Sequence, residues 1–166
     1  MLKLSEINAL DDESFTVRLR GLFEHSPWVA ARTASQRPFV SPDELLAALC
    51  RTVSQAREEE KLALLRAHPD LVGNSLLTNE SRTEQKSAGL TNLTPDEIER
   101  FREFNQRYRE KFGFPFVICA RLNKKETILQ AFPVRLSNSR QQEIEAALEE
   151  IFKIAELRLQ DLVIEK

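Results

Sequence analysis

Apolar residues recur along this chain at intervals of three and four, the spacing that gathers them on one face of a helix. Phe15, Leu19, Leu22 and Phe23 make the first such stripe, over Asp12 to Phe23, behind a short turn capped by Ser5. Ser26-Pro27 reads as an N-cap with proline at the first helical position, and Trp28, Val29, Ala30 and Ala31 follow. After a loop at Gln36-Arg37-Pro38-Phe39, Ser41 and Glu44 have capping-box spacing and predict a helix that runs to Gln55. Glu58, Glu59 and Glu60 suit the start of the next helix, where the dipole favours negative charge. Leu62, Leu64 and Leu65 are its apolar positions, and Pro69 makes His68 its limit.

Leu71 to Glu80, with Gly73 and Asn74, reads as a loop. Ser81-Arg82-Thr83-Glu84 reads as a second capping box, opening a short helix that Gly89 can end. Thr94-Pro95-Asp96-Glu97 reads as a third, and Ile98, Phe101, Phe104, Asn105 and Tyr108 share one face of the helix it starts, with Gly113 closing it. Phe114 to Ala120 is the one continuous apolar stretch with an extended look. No second strand of like quality accompanies it, so the stretch predicts a buried connector. Thr127 to Phe132 predicts a short helix, and Ser139 with Gln142 caps a long last one whose apolar side runs from Ile144 to Leu162. With no repeat and no linker, the pattern predicts one compact all-α, multi-helix domain over residues 1–166, ending in a long C-terminal helix.

Composition narrows the classes. A chain of 166 residues buries roughly 70% of its unfolded surface, so its core needs no disulfide or metal. Lys and Arg number 24 against 26 Asp and Glu, a net charge of −2 that sets up no attraction for nucleic acid or an acidic membrane. Four glycines and seven prolines are too few for the tight turns of an all-β fold. Cys50 and Cys119 cannot build a disulfide framework and read as small buried apolar residues. No spacing suggests a metal site, and no glycine-rich phosphate loop occurs. No apolar run nears the ~18–20 residues of a membrane span. No secretory apolar segment opens the chain, and Val163-Ile164-Glu165-Lys166 is not a peroxisomal address, so the expected compartment is the cytoplasm.

Few residues carry chemistry. His68 sits at a helix end, where Pro69 fixes its backbone; it suits a general acid/base, and equally a cap complementing the helix dipole. Glu84 is either a general acid/base or the N3 member of its capping box. Gln85 beside it reads as a surface amide, or as part of an anion-binding helix start with Ser81. Arg121 follows the apolar stretch, either snorkelling to water or clamping a carboxylate. The alternating Arg and Glu residues from Glu99 to Lys111 read as a solvated helix face, His25 as a loop residue, Trp28 as core or rim, and Arg37 as structural.

Three ordered blocks then converge. They are His68-Pro69-Asp70-Leu71, Ser81-x-x-Glu84-Gln85-x-x-Ala88-Gly89-Leu90, and Asn105-x-x-Tyr108-x-x-Lys111-Phe112-Gly113-Phe114-Pro115-Phe116. Together with Ser26-x-Trp28 and Arg37-Pro38-Phe39 they closely resemble the OHCU (2-oxo-4-hydroxy-4-carboxy-5-ureidoimidazoline) decarboxylase family, over about Leu4 to Leu162. The resemblance implies an all-helical domain that converts OHCU to (S)-allantoin and CO2 late in urate breakdown, after urate oxidation and hydrolysis of 5-hydroxyisourate. It implies no metal and no organic cofactor. His68 matches the family's catalytic histidine, and Glu84 and Arg121 match polar residues around the ligand. Pro69, Ser81, Arg82, Thr83, Glu84, Gln85, Phe116, Val117, Ile118, Cys119 and Ala120 match substrate-contacting positions. A small-molecule substrate is the expected partner. A homodimer is compatible with the resemblance, although no sustained heptad seam defines one. Two rivals stay open: a cofactor-free hydrolase acting on a ureido compound, which would release no CO2, and a helical binding module, which would have no use for the polar set at His68, Glu84 and Arg121.

Overall fold

The computed structural model describes residues 1–73 and 77–164. Asn74, within the predicted loop, lies outside the described residues. Nine α-helices and one two-stranded sheet make up the regular structure of the described residues, so the all-α reading holds. The chain forms two compact units, one from residues 1–67 with 152–166 and one from 68–151.

In the first unit, α1 (Leu4–Asn8), α2 (Asp12–Leu19), α3 (Trp28–Thr33), α4 (Pro42–Ser54) and α5 (Glu58–Arg66) follow in order, with 3₁₀ turns at Arg20–Leu22 and Ala34–Gln36. Helix α3 packs on both α2 and α4, and Phe15, Leu19, Val29, Leu45, Leu49 and Val53 are buried. Ser41 caps α4 by accepting from the Glu44 N–H at 3.1 Å, as its spacing predicts. The return bond differs: the Glu44 carboxylate accepts from the Val40 N–H rather than from that of Ser41. Ser26 does not cap α3; its hydroxyl donates to the Glu24 carbonyl, and Pro27 occupies the cap position. The short first helix begins at Leu4, one residue ahead of the expected cap Ser5. Leu2–Lys3 (β1) and Val163–Ile164 (β2) pair in parallel, Leu2 against Val163, a contact too short to leave a period in the sequence. Arg37 is structural, as expected: it reaches the Leu10 and Ala34 carbonyls and Asp12, over the Phe15 ring. Arg158 and Glu24 form a buried ion pair at 3.0 Å.

In the second unit, α6 (Asn79–Ser87), α7 (Pro95–Phe112) and α8 (Lys125–Leu136) precede α9 (Arg140–Leu162), whose later turns belong to the first unit. Thr94 caps α7 through the Glu97 N–H, while the Glu97 carboxylate turns to Lys125 at 3.0 Å. Ser139 and Gln142 form a full reciprocal box at the start of α9. Helix α8 starts two residues earlier and runs four residues further than Thr127 to Phe132, passing through Pro133. Proline removes one hydrogen bond there. Phe132, stacked on Phe116 with centroids 3.9 Å apart, and the buried Arg135 anchor the helix on either side of it. Phe114 to Cys119 is irregular and buried, the connector its sequence predicts. Tyr108 packs against Phe112, Phe114 and Phe116, which ties that connector to α7.

Gly113 ends α7 with φ 79°, and a Cβ there would meet nothing within 4 Å. The cost of a side chain is therefore backbone strain alone. Gly113→Ala is expected to lower unfolding free energy by about 1–2 kcal/mol in urea titration, and Gly113→Asn by less, because asparagine tolerates this conformation.

Candidate active site

Helix α6 is the element that the sequence pattern misplaces, and the error matters. Its cap is Thr78, which accepts from the Ser81 N–H at 3.1 Å, so the helix starts at Asn79 and Ser81 lies inside it. Ser81, Glu84, Gln85 and Ala88 then fall on one face by helical spacing, and all four are buried. Glu84 is thus no capping residue; its position is inward-facing. At the other end the Leu90 N–H bonds the Gln85 carbonyl and the Gly89 N–H that of Lys86, the paired bonds of a Schellman motif. Gly89 supplies the left-handed conformation, with φ 82°.

Opposite this face stands the turn His68-Pro69-Asp70-Leu71. Helix α5 ends at Arg66, two residues inside the limit that Pro69 sets at His68, and His68 is buried. Three residues of the surroundings, Asn105, Arg109 and Gln85, hold the turn and the residue after it. Asn105 of α7 donates to the Leu71 carbonyl at 2.8 Å, Arg109 binds both Asp70 oxygens at 3.1 and 3.2 Å, and the Val72 N–H donates to Gln85 at 3.3 Å. Val72 has φ 57°, an outlier for a β-branched residue, at the point where Gln85 grips it.

The connector closes the third side. His68, Pro69, Leu71, Ser81, Glu84, Gln85, Phe116, Val117, Ile118 and Ala120 surround about 350 Å³ of space open to solvent. One wall is apolar and another polar, the mix that small-molecule sites use. The N–H groups of Phe116, Val117 and Ile118 donate to no group among the described residues. Buried backbone donators of that kind call for a partner.

Nine residues expected from the sequence meet here. Four do not line the cavity. Arg82 and Thr83 are exposed on the outer side of α6, where the shifted helix start turns them. Arg121 is exposed in the 3₁₀ turn Ala120–Leu122. Cys119 is buried in the connector with its carbonyl accepting from Asn123. Sequence reasoning missed Leu71 as a lining residue, and missed Arg135 and Glu143 behind the wall. Arg135 donates to the Val117 carbonyl and to Glu143. The resemblance blocks end at Phe116 and give no signal for either. Among the described residues no group of three or more His, Cys, Asp or Glu is placed to hold a metal ion.

An all-helical protein with one imidazole, one carboxylate and one amide around a small half-apolar cavity belongs to the class of small-molecule enzymes that work with few side chains. The OHCU decarboxylase family profile matches residues 8–160. A 2-oxo-4-hydroxy-4-carboxy-5-ureidoimidazoline decarboxylase of Haloferax volcanii is 46% identical over 158 residues, covering 95% of this chain and 94% of its own. The uric acid degradation bifunctional protein of Bacillus sp. (strain TB-90) is 41% identical, covering 98% of this chain and 32% of its own. A crystal structure of OHCU decarboxylase in the presence of (S)-allantoin superposes with a TM-score of 0.73 at 26% identity, covering 92% of this chain and 98% of its own. The chain belongs to the OHCU decarboxylase family.

Burial pushes the Cys119 thiol above its ordinary value, and the carboxylates of Glu150 and Glu84 push it further. Burial likewise raises Cys50, to about 11. Neither thiol is a ready nucleophile near neutral pH. The folded protein at pH 7.5 is expected to resist iodoacetamide at both positions, and the denatured protein to take two labels, as read by intact mass.

Proposed function

We propose that this chain decarboxylates 2-oxo-4-hydroxy-4-carboxy-5-ureidoimidazoline to (S)-allantoin in the cavity between α6, the His68 turn and the 116–120 connector. The observation that carries this reading is the gathering, in one cavity of a chain of this family, of His68, Glu84, Gln85 and a wall of N–H groups that donate to no group among the described residues. The Haloferax volcanii relative is named for this decarboxylation and the Bacillus relative for uric acid degradation, which supports the reading.

The substrate brings its own electron sink, a C=N bond beside the carbon that bears the carboxylate. As the C–C bond breaks and CO2 leaves, its electron pair forms a C=C bond, and the C=N electrons move to nitrogen, which takes a proton. The resulting enol loses its hydroxyl proton, and the ureido-bearing carbon gains one. The protein is asked to hold the ring, to move protons, and to present one face for that last step. In this reading His68 serves the 4-hydroxyl as acid/base, and Glu84 orients His68 or shares its proton. Gln85 and the connector N–H groups bind the ring and ureido oxygens. Ser81 and Pro69 shape the polar and apolar edges. Arg121, next in sequence to the lining residue Ala120, is assigned to the anionic group at the mouth. Protonation on one face gives the (S) product.

The family match runs across both compact units, which supports a single functional domain. No helix among the described residues is long and apolar enough to cross a membrane. The reading places the chain, with free Cys50 and Cys119, in a reducing cytoplasm. A homodimer is the assembly to look for by analytical ultracentrifugation.

The test generates the substrate from urate with the two preceding enzymes and follows product circular dichroism beside CO2 release. Wild-type protein is expected to yield one enantiomer rapidly. His68→Asn should lower kcat by about 10²–10⁴-fold with the fold intact, the range for loss of a general acid/base. Glu84→Gln should slow turnover with little loss of stability, since Glu84 caps no helix. A racemic product formed at the uncatalysed rate in the presence of wild-type protein would reject the reading.

A further inference from the structure

The connector has no regular structure, so its peptide planes must be set from outside. Arg135 of α8 does this. Its guanidinium lies 4.3 Å from the centre of the Phe116 ring and donates from Nη1 to the Val117 carbonyl. Its Nε donates to Glu143 Oε1 at 2.7 Å. Glu143 is fully buried, and it also accepts from the Tyr108 hydroxyl at 2.6 Å and from Asn138 at 2.9 Å. The guanidinium is therefore oriented by a carboxylate that is itself fixed by α7 and by the segment before α9.

In a trans peptide the C=O and the following N–H point in opposite directions. Pinning the Val117 carbonyl on Arg135 therefore turns the Ile118 N–H away from Arg135. That N–H donates to no group among the described residues, and Ile118 lines the cavity.

We infer that Arg135, locked by Glu143, is a positioning residue for the decarboxylation, aiming the Ile118 N–H at a heteroatom of the bound ring. This rests on the cavity being the decarboxylation site. A planar guanidinium can serve Glu143, the Val117 carbonyl and the Phe116 face together. An ammonium is a point charge without a fork or a stacking face, so lysine cannot replace it.

Arg135→Lys and Glu143→Gln test the inference in the full-length protein. Folding is checked by far-UV circular dichroism, and turnover is measured well below the melting temperature. Folded Arg135→Lys is expected to lose about 10–100-fold in kcat, the scale of a misplaced reacting geometry, with a smaller change in KM and an unshifted pH profile. Glu143→Gln is expected to move kcat the same way by less. A purely structural role would lower the melting temperature and leave kcat of the folded molecules untouched. Wild-type kcat and KM in folded Arg135→Lys overturn the inference; if that variant does not fold, wild-type kcat in folded Glu143→Gln does so. Absence of catalysed CO2 release by the wild-type protein overturns the site reading beneath it, and is seen before any variant is made.

Discussion

A guanidinium and a carboxylate almost closed to water, those of Arg135 and Glu143, organise the second unit. Desolvating two charges offsets most of their attraction, so such a pair adds little net stability. Removing one partner strands the other, at about 3–5 kcal/mol. What the pair supplies is direction. Through it the Tyr108 hydroxyl, the Val117 carbonyl, the Phe116 ring and Asn138 share one set of coordinates. An apolar replacement could fill the volume but could not orient a peptide plane. The first unit uses the same device, with Arg158 bound to Glu24 and to the Gly21 carbonyl.

The architecture was legible because the helices carry strong local signals. Ser139 with Gln142, Thr94 before Pro95, and Gly113 in the left-handed conformation act at the positions their side chains predict. The failures at the helix starts have a common physical cause, and the one at α8 has another. Several residues can satisfy the same orphan N–H groups, and spacing alone does not say which one wins. At α6, Thr78 takes the role that Ser81 could have taken. At α4, Glu44 bonds the Val40 N–H instead of completing the box. At α8, burial of Phe132 and Arg135 outweighs the breaking tendency of Pro133.

The site was legible in a different way. Residue chemistry singled out His68, Glu84 and Gln85 and an apolar run marked the connector, but only the ordered blocks that resemble a family joined them into one site. The structure brings them to one cavity, and it turns Arg82 and Thr83 outward, because a helix face cannot hold five consecutive residues. Arg135 and Glu143 were illegible for a plain reason. A buried charge pair joining two helices has no signature in the spacing of either one. On sequence Glu143 looks like an ordinary acidic residue in a first helical turn.

Helix α6 turns an unusual face inward: of Ser81, Glu84, Gln85 and Ala88, only the last is apolar. Such a helix gains little from the hydrophobic effect. It is kept in place by its Thr78 cap, its Gly89 terminus and the grip of Gln85 on Val72. Gln85 therefore has two places in the structure, lining the cavity and mooring the helix. A change at Gln85 would alter the cavity wall and the helix's anchorage together, whereas the exposed side chains of Arg82, Thr83 and Lys86 on the outer side hold neither.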